Sequence, residues 1–305
     1  MRRTAPILAL VALVFLLSAP DVRGAGGVRL AVRVFDAPAG APGLLLHHGL
    51  ASSSHIWDLM LPRLTRRFRV VAYDARGHGL SAKPTSGYGF DRTAVDAVAV
   101  IRATRLRRPA MAGHSWGANV ALEVAARYPR ALSGAVFVDG AVAGLARSFS
   151  WAEVKENLAP PRLAGMPVDE FRGMIRSFFS ETVEVTPDVE TIVLSVMRVG
   201  GDGRIRPQLS RANHFRILHA IWEQDPAARY EGLRVPALVI LARSAAPTHD
   251  ELEFLAVKRE AASRIRRLAA ELVRVSWMEG IHDLPLQRPG ALSSRIERFA
   301  DDVVG

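Results

Sequence analysis

The sequence predicts an α/β chain: a mostly parallel, doubly wound sheet with helices on both faces and one helical insertion. Three observations carry this reading. From Val28 onward short strand-like apolar runs alternate with helical stretches, as expected when crossover helices cover both sides of a parallel sheet. Between Asp139 and Val235 that rhythm breaks. And Gly113-His114-Ser115-Trp116-Gly117 lies between a short strand-like run and an alanine- and valine-rich helical one.

Taken in order, the candidate strands are Val28 to Phe35, Gly43 to His47, Arg69 to Tyr73, Pro109 to Ala112, Gly134 to Val138, Ala237 to Ala242 and Leu272 to Trp277. Candidate helices run from Trp57 to Leu64, Thr93 to Leu106, Trp116 to Tyr128, Glu251 to Ala270 and Ala291 to Asp301. The stretch between Asp139 and Val235 offers amphipathic pieces cut by Pro160-Pro161, Pro167, Pro187, Gly200-Gly201 and Pro226, with few β-like runs. It reads as a helical cap inserted between the sixth and seventh core strands. The expected organisation is a leader over 1–24, a first core part over 25–140, the cap over 141–232 and a second core part over 233–305.

Composition removes several classes. The 305 residues include no cysteine, so disulfide frameworks, zinc–thiolate fingers, iron–sulfur clusters and cysteine nucleophiles are excluded. With 49% hydrophobic residues the chain can bury a large core, which argues against disorder. The formal charge is +10, carried by 37 arginines and three lysines, Lys83, Lys155 and Lys258. Short clusters at Arg66-Arg67, Arg105 to Arg108 and Arg264 to Arg267 lack the interleaved aromatics of a stacking platform, and no nucleic-acid-binding motif accompanies them. The excess is read as arginine-biased composition, and no nucleic-acid partner and no obligate protein partner are expected.

At the amino terminus Arg2-Arg3 precede an apolar run from Ile7 to Leu17, followed by a more polar, glycine-bearing stretch. That order matches a secretory signal peptide, and the run is short of the roughly 20 apolar residues a membrane span needs. Cleavage after Gly24 and a secreted or envelope-associated protein are expected. An uncleaved leader implies membrane attachment, and a start codon placed too far upstream implies a cytoplasmic protein.

The chemistry rests on Ser115. A sharp strand-to-helix turn strains the serine backbone and exposes its hydroxyl at the sheet edge. Gly113 and Gly117 remove side chains that would collide in so tight a turn. The following helix amino terminus directs N–H groups toward charge developing nearby.

With this turn, three further segments resemble the α/β-hydrolase fold superfamily. His47-His48-Gly49-Leu50 resembles its H-G-x loop, Asp74-Ala75-Arg76-Gly77-His78-Gly79-Leu80-Ser81 its D-x-R-G-x-G-x-S turn, and Gly280-Ile281-His282-Asp283 the segment bearing its histidine. The four motifs stand in family order and span nearly all of the chain after the leader. They specify fold far more than substrate.

A serine needs a base to take its proton. Of nine histidines, His282 stands on a loop after the last strand, where the chain order serine, acid, histidine of this fold places the base. By resemblance, the backbone N–H groups of Leu50 and Trp116 form the oxyanion hole, and both side chains are expected to be free to meet substrate. The acid departs from the family pattern. The usual position after the seventh core strand falls near Ala245, which cannot orient an imidazole. Asp139, at the end of the strand Gly134 to Val138, is the preferred candidate, with Asp250 and Glu251 as alternatives.

The resemblance implies hydrolysis of a small or medium apolar carboxylic ester, lactone or thioester through an acyl-enzyme. A cofactor-free perhydrolase or acyltransferase on the same site, or a ligand-binding member without turnover, are the alternatives. A serine nucleophile argues against epoxide hydrolysis and dehalogenation, for which relatives use aspartate. The partner is a small-molecule substrate; no cofactor is expected, and the scattered histidines suggest no metal. Phe149, Trp151, Phe171, Phe178, Phe179, Phe215, Trp222 and Tyr230 lie in the insertion, where most are expected to pack its core and one or two to line an apolar pocket.

Overall fold

The computed structural model describes residues 20–245 and 247–304, without the side chains at 249–251. Residues 1–19 of the expected leader lie outside the described residues. Eleven strands occur among the described residues: β1 (Val22–Arg23), β2 (Arg29–Leu30), β3 (Val32–Phe35), β4 (Gly43–His47), β5 (Arg69–Tyr73), β6 (Ala110–His114), β7 (Gly134–Val138), β8 (Met197–Val199), β9 (Ile205–Pro207), β10 (Ala237–Arg243) and β11 (Val273–Glu279).

Seven of them form the central sheet in the order β11-β10-β7-β6-β4-β5-β3. Only β3 runs antiparallel to its neighbour, β5. The interior parallel strands are apolar almost throughout because both faces are covered. Leu45, Val71, Met111, Phe137, Val239 and Leu241 turn toward one face, packing with helices Phe90–Ala103, Trp116–Arg127 and His249–Leu268. Leu44, Leu46, Val70, Ala112, Val136 and Ile240 turn to the other, packing with Ser54–Leu64 and helix Pro289–Val304. This period-two division makes the sheet the middle layer of three.

Counted along this sheet, the inserted elements lie between its fifth and sixth strands, β7 and β10. They comprise helices Trp151–Asn157, Val168–Phe179, Pro187–Leu194, Arg211–Glu223 and Pro226–Glu231. The antiparallel pair β8–β9 interrupts them, turning at Gly200–Gly203 with Gly203 at φ 69°. Strands of three residues each, the second ending on Pro207, carry too little alternation to stand out in sequence.

Buried polar bonds tie the insertion to the core. Asn119 Nδ2 donates to Gln224 Oε1 at 2.6 Å, and Gln224 Nε2 donates to Glu123 Oε1 at 2.9 Å. Asn213 Nδ2 donates to Tyr88 Oη at 2.7 Å.

The segment assigned to the end of the leader is also part of the body. Val22 is fully buried, and β1 pairs with β2, so the cut expected after Gly24 falls within a packed arm. The Ala25 N–H donates to Asp96 Oδ1 at 2.7 Å, and Ala25 O accepts from Arg76 Nη2 at 3.0 Å.

Candidate active site

Ser115 occupies the turn between β6 and helix Trp116–Arg127 with φ 56° and ψ −121°, a strained conformation for a residue with a side chain. Its surroundings leave room for nothing but glycine at three positions. A Cβ at Gly113 would meet Gly117 O at 2.0 Å, one at Gly117 would meet His47 O at 2.4 Å, and one at Gly140 would meet Ser115 O at 2.2 Å. The Ser115 N–H donates to Val138 O at 2.8 Å, which fixes the turn against the end of β7.

Asp139 is the next residue after β7, at φ 45°, and its N–H donates to Ile240 O at 2.8 Å, extending the ladder toward β10. Its buried carboxylate faces His282: Nδ1 of the ring donates to Oδ2 at 2.7 Å. The sequence-chosen acid and base therefore meet across 143 residues of chain. Among the described residues Ser115 Oγ takes no hydrogen-bond partner. Such contacts are often open in unliganded sites and close around substrate. The alternative acids Asp250 and Glu251 stand in the first turn of helix His249–Leu268, and their side chains lie outside the described residues.

The charge state follows from these contacts. Burial alone would raise Asp139, but its hydrogen bond to His282, the charge of that ring and the contact with Lys258 bring the carboxyl down to about 2. His282 is about half exposed (53%). Desolvation would lower it, yet the bond and charge of Asp139, helped by Asp283, carry it above its ordinary value near 6.5. An imidazole with Nδ1–H fixed on a carboxylate presents Nε2 as acceptor, the tautomer a base needs.

His114, read from sequence only as a residue within the turn, is a brace. Its Nε2–H donates to the carbonyl of His282 at 2.9 Å, and the two rings lie 4.9 Å apart. Burial, then the nearby His282 charge, lowers it to about 4, so it stays neutral. The signal available in sequence was its place immediately before Ser115, at the end of β6.

On the other flank the oxyanion loop is held by two motifs. His48 Nε2 accepts from the Ala75 N–H at 3.0 Å, and His78 Nε2 accepts from the Ala51 N–H at 3.2 Å. Both rings direct Nδ1–H to backbone carbonyls, of Gly49 and Arg76, and both are lowered by burial, so they remain neutral acceptors. Asp74 accepts from the Ser54 and Leu80 N–H groups, each at 2.8 Å, and Arg76 makes a buried two-point pair with Asp96 at 2.6 and 2.7 Å. Among the described residues no protein group engages the Leu50 or Trp116 N–H.

The expectation that the Trp116 side chain meets substrate is corrected. The indole is 1% exposed, stacked on His78 at 5.2 Å and edge-on to His47 at 5.1 Å. A helix-start side chain in this tight turn points back into the sheet, leaving only its N–H at the site. Leu50 is half-buried against the core.

Two cavities flank the site. One of about 240 Å³ is lined by Ala51, Ser52, His78, Leu163, Phe171 and His214 among others, joining the oxyanion loop to the insertion. Of the insertion's aromatics Phe171 is the one that lines it, whereas Tyr230 packs on Phe137 in the core. The second, of about 300 Å³, lies beside Asp139, Arg243, Lys258 and His282. No group of three or more metal-ligating side chains is assembled among the described residues.

Residues 42–187 match the family model for the alpha/beta hydrolase fold. The chain is 34% identical over 204 residues to a non-heme haloperoxidase of Rhodococcus erythropolis, covering 65% of this chain and 67% of that one. It is 36% identical over 111 residues to a 2-(acetamidomethylene)succinate hydrolase of Mesorhizobium japonicum, a match spanning 36% of this chain and 40% of the relative. A crystal structure of E-2-(acetamidomethylene)succinate hydrolase superposes with a TM-score of 0.72 at 22% identity, covering 93% of this chain and 99% of that one. The chain belongs to the α/β-hydrolase fold superfamily.

Proposed function

We propose that the protein is a serine hydrolase cleaving a small or medium apolar carboxylic ester, lactone or thioester through an acyl-enzyme. The observation that carries this reading is the 2.7 Å bond between buried Asp139 and His282 beside the strained turn of Ser115. Ser115 Oγ attacks the carbonyl carbon while His282 Nε2 takes its proton. The carbonyl oxygen, now anionic, is met by the Leu50 and Trp116 N–H groups. The protonated ring returns its proton to the leaving oxygen, or to the leaving sulfur of a thioester, as its bond to the acyl carbon breaks. Water, activated by the same ring, then releases the acid and frees Ser115. The insertion acts as the cap, and the cavity at Ala51, Leu163 and Phe171 takes the apolar part of the substrate.

The likeness to a non-heme haloperoxidase supports a second reading on the same residues, in which peroxide replaces water in releasing the acyl group. Both readings require acylation of Ser115. An active-site-directed fluorophosphonate should label the intact protein and spare Ser115→Ala; equal labelling of both, or none, sinks the proposal. Turnover of a panel of esters graded in acyl length, with and without peroxide, separates the two readings.

A further inference from the structure

Lys258 is one of three lysines in a chain with 37 arginines, and it lies on the buried side of its helix. Its neighbours on that stripe, Leu255, Ala262, Ile265 and Ala269, are all buried, and Lys258 itself is 8% exposed. Its ammonium donates to Asp139 Oδ1 at 2.8 Å, to Asp139 Oδ2 at 2.9 Å and to Ala242 O at 3.3 Å, with the Phe254 ring 5.2 Å away. All three donors of a compact ammonium are thereby used, in a space where a planar guanidinium would not make the same three contacts.

The carboxylate is correspondingly saturated. Oδ1 accepts from the Ala242 N–H at 2.8 Å and from Lys258, while Oδ2 accepts from His282 and from Lys258. This places a fixed cation on the same carboxylate that supports the His282 imidazolium. A carboxylate serving one imidazole alone would stabilise the protonated ring more strongly than one shared with an ammonium.

Resting on the triad reading above, we propose that Lys258 is a positioning residue for the reaction: it locks Asp139 in the orientation that receives His282 and moderates the basicity of that histidine. The described charged and titratable groups facing His282 are Asp139 from the end of β7, Lys258 from helix His249–Leu268, His114 from the serine turn, Asp283 beside it in chain, and Arg243 at the end of β10. Lys258 and Arg243 are the cations; Lys258 is the one bonded to Asp139. Partial desolvation, the bond to Asp139 and the two nearby carboxylates set the proton affinity of His282, and Lys258 opposes the last two. Removing the ammonium leaves Asp139 with His282 as its one charged partner beside the Ala242 N–H, so the ring holds its proton to higher pH and the base form appears later.

The test follows the rate of fluorophosphonate labelling of Ser115 against pH in the wild type, Lys258→Met, Lys258→Gln and Lys258→Arg, with a melting curve for each. Wild-type labelling should rise along one acid limb. In Lys258→Met and Lys258→Gln that limb should move to higher pH by about one unit, with a lower plateau. Lys258→Arg should restore the limb's position but not the whole plateau. Titration of the His282 ring by NMR with labelled histidine should show the same displacement without any turnover. A limb and titration unmoved in both neutral variants, whatever the melting temperature, overturn the proposal and leave Lys258 as a packing residue. Absence of labelling in the wild type instead overturns the triad reading, and a wild type that labels while all variants keep its pH limb overturns only the role of Lys258.

Discussion

The two flanks of Ser115 are built by opposite means. The oxyanion flank is assembled from two contiguous segments, 47–54 and 74–81, whose histidines are buried, neutral and bonded to backbone groups. The acid flank brings Asp139, Ala242, Lys258 and His282 together from four separate elements, and there the side chains carry charge. A loop that must present an N–H is held by local turns, by the fixed contacts of Asp74 and of the Arg76–Asp96 pair, and by histidines that burial keeps neutral near pH 7. A base that must gain and lose a proton needs charged partners, and those can come from anywhere in the chain.

The largest effect should come from breaking the charged flank. Asp139→Asn removes the charge behind His282 and leaves Lys258 unpaired; labelling of Ser115 should fall by about 10³- to 10⁴-fold, whereas Asp250→Asn should label as the wild type does. Equal losses in the two variants, measured as second-order rate constants, would move the acid away from Asp139.

The same division decides what could be read in the sequence. The motif flank was legible because turn geometry dictates residue types at fixed spacing: Gly113 and Gly117 follow from clashes near 2 Å, and Gly79 from a Cβ that would meet Asp74 Oδ2 at 2.0 Å. The parallel strands were legible as apolar runs. Asp139 was readable as a candidate only because it ends a strand, and Lys258 was passed over because no local pattern joins residues 139 and 258. Its one trace was a lysine on the apolar stripe of an otherwise amphipathic helix. The Trp116 side chain was misjudged because a motif specifies the backbone donor and not where the indole packs. Residues 22–24, read as the end of the leader, carry no local pattern that announces the pairing of β1 with β2.

The buried neutral histidines of both flanks make their own prediction for stability. His47, His48, His78 and His114 are all lowered by burial, to about 3 for His47 and about 4 for His114. Unfolded, each would protonate near 6.5, so below that pH the unfolded chain binds protons that the native state refuses. Stability from these groups is complete above about pH 6.5 and is lost progressively as pH falls toward the native values. His282, raised in the native state, works in the other direction but is one group against four. Melting temperature should therefore decline steadily from pH 7 to pH 4, and His47→Gln or His114→Gln should flatten the slope; a flat profile in the wild type would contradict the neutral assignment.

A smaller effect distinguishes the flanks kinetically. His78→Phe leaves the Ala51 N–H without its acceptor and loosens the oxyanion loop while touching nothing charged. Loss of one such bond is worth about 1 kcal/mol, and labelling should fall by about tenfold or less with the acid limb unmoved. A displaced limb in this variant would mean that the two flanks are electrically coupled and that their separation is only geometric.

The smallest effect concerns the arm. Val22 is buried, and Ala25 touches both members of the Arg76–Asp96 pair that anchors the 74–81 turn. A chain starting at Ala25 loses the β1–β2 ladder and the burial of Val22, worth about 1.5 kcal/mol or somewhat more. It keeps the Ala25 contacts, since a terminal ammonium can still donate to Asp96. Compared with a chain starting at Pro20, it should melt a few degrees lower while labelling Ser115 at nearly the same rate and with the same pH limb. Among the described residues the hydrogen bonds of Ala25 run to Asp96 and Arg76, on the oxyanion flank, so loss of the arm is expected to leave the proton affinity of His282 unchanged. A shifted limb in the shorter chain would break that separation, and equal melting of the two chains would show that the arm's packing contributes nothing measurable to the fold.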